Sequence, residues 1–69
     1  MEEKIDTRTK QVLEATYNSL LQTVANLYAE ADDAIARENY NDASLLQSQA
    51  DKLYETLENL GVVIEEQEE

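Results

Sequence analysis

Residues 34–46 read AIARENYNDASLL, and within them the hydrophobic register of the chain changes. Upstream, Leu13, Tyr17, Leu20, Val24, Leu27, Ala31 and Ala34 recur at alternating steps of four and three. Such spacing keeps one stripe on one face of an α-helix. Leu21, Tyr28 and Ile35 each lie one step past a stripe residue and widen it into the broad face of a bundle helix. Continued forward, the stripe would pass through Glu38 and Asn41, yet the apolar pattern restarts at Ala43. It then runs through Leu46, Ala50, Leu53, Leu57 and Leu60. The break falls on Glu38-Asn39-Tyr40-Asn41, a cluster of turn-prone residues. Two amphipathic helices joined by a short turn make an antiparallel hairpin. The reading is therefore all-α, with helices over about 7–38 and 42–60.

Local signals set the expected ends. Asp6 is the expected N-cap of the first helix and Asn41 that of the second, since short polar side chains accept from orphan N–H groups. Tyr40 and Leu45 have the separation of a hydrophobic staple across the second start. Gly61, the single glycine of a chain without proline, suits a left-handed residue closing the second helix. On these bounds the first helix is about 48 Å long and the second about 28 Å. Leu13 and Tyr17 then lack an intramolecular partner, unless Val62, Val63 and Ile64 fold back or the helix runs on through Gly61. A glycine inside a helix costs only about 1 kcal/mol, and Ile64 keeps the phase. A lone hairpin also leaves one side of each helix wet, and pairing two copies into a four-helix bundle removes that cost. The domain reading is a single hairpin unit over 1–64 and an acidic, frayed tail over 65–69.

Sixty-nine residues are near the lower size for an independent core. With no cysteine and no histidine, disulfides and thiolate or imidazole metal sites are ruled out. Sixteen acids against five bases give a net charge of −11, which disfavours nucleic acid and anionic lipid as partners. No window approaches the roughly 18 apolar residues of a membrane span, and MEEKIDTRTK is not a signal peptide. A soluble, cytoplasmic protein is expected, without cofactors. Catalysis is not: the usual nucleophiles and bases are missing, and there is no Glu-x-x-His pair, calcium loop or phosphate loop.

From Ala15 to Ala29 (ATYNSLLQTVANLYA) no residue is charged. The outer positions there are Thr16, Asn18, Ser19, Gln22, Thr23, Ala25 and Asn26. Small uncharged polar groups desolvate at modest cost when helices pack closely, so this helix is read as contacted on more than one side. An ordinary solvated surface is the plainer alternative. Leu13, Tyr17, Leu21, Val24 and Tyr28 are the candidate protein interface, the tyrosines offering large area with a polar tip. Asp51, Glu55 and Glu58 form a candidate acidic stripe, for which a solvated face is the simple account. Lys4, Arg8 and Lys10 at one end of the chain and Glu65, Glu66, Glu68 and Glu69 at the other are brought together by a hairpin. Asp33 and Arg37 have the spacing of an i,i+4 ion pair.

Residues 38–53, ENYNDASLLQSQADKL, resemble the UVR hairpin, the coupling motif of nucleotide-excision-repair proteins and some protease regulators. Tyr40 stands where that motif has Phe, Ala43 matches its alanine, and Leu46 and Leu53 match its apolar positions. Gln47 and Ser48 replace its Arg-Asp pair. Residues 50–66, ADKLYETLENLGVVIEE, are similar to the helix that ends cysteinyl-tRNA synthetases. The UVR likeness implies a hairpin that docks antiparallel on another hairpin. Three functions follow as expectations. The first is a non-catalytic, homodimeric adaptor or assembly factor with an unidentified protein client. The second is an acidic inhibitor, viral in origin on this reading, that mimics nucleic acid in the basic groove of a DNA-binding protein. The third is an RNA-binding hairpin like Rop, which shares the two-helix plan but needs a basic, aromatic face.

Overall fold

A computed structural model describes residues 6–67 as two helices, α1 (Thr7–Ala36) and α2 (Tyr40–Gln67), packed against each other as a hairpin. The expected stripe is the observed seam. Val24, Ala31 and Ala34 of α1 are buried, and Leu13, Tyr17, Leu20 and Leu27 are half-buried. On α2 the buried residues are Ala43, Ala50 and Leu57, with Leu46, Leu53, Leu60 and Ile64 half-buried between them. The seam is small beside the turn, with Ala31, Ala34 and Ala43, and large near the open end, with Leu57, Leu60 and Tyr17. Alanines permit the short end of the usual range of helix separations, about 8–10 Å. The envelope measures 57 × 16 × 12 Å, a rod one helix thick. Its radius of gyration is 15.9 Å, against about 11 Å for a compact domain of this length.

Asp6 caps α1 as expected. Its carboxylate accepts from the Arg8 N–H at 3.3 Å, and its carbonyl accepts from the Lys10 N–H at 2.9 Å. At the other end α1 stops at Ala36, two residues before the expected 38. The Glu38 N–H donates to the Ile35 carbonyl at 2.9 Å and the Asn39 N–H to the Ala34 carbonyl at 2.8 Å. This is the Schellman closure, with Glu38 in the left-handed position at φ 61°. Asp33 and Arg37 pair as expected, at 3.0 Å, but both side chains are more than half exposed and the pair adds little.

The start of α2 corrects the sequence reading by two residues. The first helical bond is accepted by Asn39, whose carbonyl takes the Ala43 N–H at 3.1 Å, so Asn39 and not Asn41 is the capping residue. The Asn39 amide donates to Asp42 at 2.7 Å, which fixes a carboxylate beside the positive end of the helix. Tyr40 and Leu45 are 63% and 60% exposed and make no staple.

At the far end of α2 the alternative in which the helix runs on through Gly61 is the one found. The helix does not end at residue 60; it passes through Gly61 and takes in Glu65, Glu66 and Gln67, expected in a frayed tail. Glu68 and Glu69, like Lys4, lie outside the described residues. Gly61 has no positive φ. Its missing side chain serves the seam: a Cβ there would lie 3.1 Å from Cε2 of Tyr17. The two helices are therefore nearly equal, 30 and 28 residues. Tyr17 has an intramolecular neighbour after all, so the unequal lengths that first suggested self-association are not found.

Candidate functional site

A rod one helix thick has two broad faces, one on each flank of the seam. The first joins Leu21, Tyr28 and Ile35 of α1 to Gln47, Tyr54 and Gly61 of α2, with Asp51, Glu58 and Glu65 along the outer edge of α2. Helical periodicity sets these rows, and two contacts tie them across the seam. The Tyr28 hydroxyl donates to the Asp51 carboxylate, and the Tyr17 ring lies over Gly61. Leu21, Tyr28, Ile35 and Tyr54 are 37–46% exposed, a run of large apolar groups without cover. Near the open end this face sinks into a groove of about 910 Å³, with Tyr17, Gly61 and Tyr54 among its walls and Glu14, Glu58 and Glu65 at its rim. No lysine or arginine occupies these rows between Gln11 and Glu66. Its character is therefore apolar and anionic together.

The hydrogen bond to Asp51 raises the Tyr28 pKa above the ordinary value near 10, with smaller contributions from desolvation and from the negative charge of Asp51. Phenolate beside carboxylate is the unfavourable state. The physical content of the shift is that Tyr28 stays neutral and its hydroxyl stays on Asp51.

The second face carries Thr16 and Thr23 beside the seam and Val12, Ser19 and Asn26 beyond them, and toward the turn the same rows continue through Glu30, Arg37 and Asp33. A shallower groove of about 470 Å³ is lined by Val12, Thr16, Ser19, Leu20 and Thr23. On α2 the same flank presents Gln49, Thr56 and Val63, with Leu45, Lys52 and Asn59 outside. Of the outer positions in the uncharged stretch, Thr16, Ser19, Thr23 and Asn26 face this way and Gln22, which donates to Asn26 at 3.1 Å along the helix, faces outward.

The five residues proposed as an interface thus divide. Val24 is buried in the seam, Leu13 and Tyr17 are half-buried there, and Leu21 and Tyr28 stand open on the first face. Of the acidic stripe, Asp51 and Glu58 edge that same face, whereas Glu55 points away from the seam. Sequence reasoning placed Ile35 in the row of Leu21 and Tyr28 but left it out of the candidate interface, and missed Tyr54 and Gly61 as members of this surface. The seven-residue spacing of Leu21, Tyr28 and Ile35 held the signal for Ile35. Among the described residues no polar or charged side chain is buried, and no cluster of carboxylates is arranged to hold a metal. No described helix is long and apolar enough to cross a membrane. Compared with protein-family models, with curated proteins and with solved structures, the chain matches none.

Proposed function

We propose that the chain is a non-catalytic protein-interaction module, a helical hairpin that pairs with a second copy of itself and turns its remaining face to a protein client. The observation that carries this reading is a rod one helix thick whose two open faces differ in charge. Chemistry is disfavoured by the same openness, because no described polar group is buried where its pKa could be tuned for acid–base work. Self-pairing belongs to the second face, which has an uncharged centre on α1 and, in Glu30, Arg37 and Lys52, charges of both signs around it. Threonine, serine, asparagine and glutamine there meet their own copies with little desolvation cost and little repulsion. The likeness of residues 38–53 to UVR hairpins supports the same mode, hairpin laid antiparallel on hairpin.

Sedimentation equilibrium of the wild type against Thr23→Lys and Asn26→Lys tests the proposal. The wild type should be a dimer at micromolar concentration. Each lysine would place an unpaired charge in the packed interface, a cost of several kcal/mol, and should yield monomers of unchanged helicity. A wild type that stays monomeric at high micromolar concentration overturns self-pairing.

A further inference from the structure

Self-pairing leaves the other face open, and its charge decides what can cover it. Glu14, Asp32, Asp51, Glu58 and Glu65 lie on it without a single cation between Gln11 and Glu66. A second copy would bring five more carboxylates within a Debye length, about 8 Å at physiological salt. Its apolar groups are nevertheless arranged for contact. Leu21, Tyr28 and Ile35 repeat every seven residues, the period with which one helix meets another. Tyr54 faces the same way across the seam, and with Tyr17, whose ring lies over Gly61, it lines the groove of about 910 Å³. Asp51, Glu58 and Glu65 form a rail beside them with the same seven-residue spacing.

We infer that this face is the docking site for a basic amphipathic α-helix of a partner protein. Laid along the rod, such a helix would set its apolar stripe on Leu21, Tyr28 and Tyr54, and press one large apolar side chain into the groove lined by Tyr17 and Tyr54. Lysines or arginines flanking the stripe every second turn would meet the carboxylate rail. This deepens the adaptor reading by naming the client's chemistry, and it differs from nucleic-acid mimicry. A mimic offers charge alone, whereas here the large apolar groups occupy the centre and the acids the edge. Anchors in the middle with charges at the rim are the usual anatomy of a protein interface.

The test uses two designed peptides of about 18 residues, long enough to span about 27 Å as helix. Both contain the same leucines and lysines; in one the leucines form a stripe, in the other they are dispersed around the helix. Titration calorimetry at about 0.15 M salt should show the striped peptide binding at least about tenfold more tightly than the dispersed one. Leu21→Ser and Tyr54→Ser, at exposed positions that leave the seam intact, should each weaken the striped peptide severalfold. Asp51→Asn with Glu58→Gln should weaken it and flatten its dependence on salt. Thr23→Lys should leave it unchanged, which separates this site from self-pairing. If the wild type stays monomeric while the peptide results hold, self-pairing fails and the docking site stands. Equal binding of the two peptides, indifference to Leu21→Ser and Tyr54→Ser, or no binding at all overturns the inference.

Discussion

Tyr28 should ionise above the ordinary tyrosine value as pH rises, because losing its proton also loses the hydrogen bond to Asp51. The sign for stability follows from the raised pKa. The fold favours the neutral phenol, so this contribution is whole below the unfolded value, about 10. It is lost as pH climbs through the higher folded value. An ultraviolet titration of tyrosinate should show a component displaced upward, and Asp51→Asn should lower it; its persistence in that variant would contradict the assignment. Gly61 makes a second residue-level case. An alanine there gains about 1 kcal/mol of helix propensity, and in the native seam it must also push Tyr17 aside. In a Tyr17→Ala background Gly61→Ala should therefore stabilise by about that amount, and in the wild type by at least about 0.5 kcal/mol less. Equal effects in the two backgrounds would show that the ring does not press on the glycine.

At the scale of elements, both helices are unusually free of interruption and their ends are set by backbone geometry. Glu38 occupies a left-handed conformation that costs a side-chain-bearing residue about 1–2 kcal/mol, part of which glycine repays in unfolded-state entropy. Glu38→Gly should raise stability by about 0.5–1 kcal/mol in a urea melt, and Glu38→Val should lower it. Leu57 is 2% exposed whereas Leu53 is half-buried. Leu57→Ala should thus cost about 2–5 kcal/mol and Leu53→Ala distinctly less. The seam was legible in the sequence because burial on a helix repeats with its period, and each stripe residue kept that phase. The end of α1 was not, because a glutamate in the left-handed position carries no glycine signature. Gly61 misled for a related reason. A glycine that ends a helix and one that admits a ring from the neighbouring helix look alike until Tyr17 is placed beside it. The acidic face was half legible: periodicity gave its rows, but which row of α2 meets which row of α1 is a property of the pair.

For the whole molecule, charge and thinness act together. A net charge of −11 on a rod 16 by 12 Å across keeps acids close through solvent, so added salt should raise the melting temperature of the wild type. If two copies pair, that temperature should also rise with protein concentration, and the rise should vanish in Thr23→Lys. A melting curve indifferent to both would mean a lone hairpin whose surface charges are already relaxed. The 57 Å length of the rod bears on movement as well as stability. Drag on a slender particle is set mainly by its longest dimension. Two hairpins pairing flank to flank would double the mass and thicken the particle, yet leave that dimension nearly unchanged. The pair would diffuse almost as fast as one hairpin, and would lose mobility chiefly in rotation about its long axis. End-to-end pairing would instead double the length and slow translation sharply. Lateral pairing of the kind proposed would thus add a second copy of the acidic face at little cost in translational mobility.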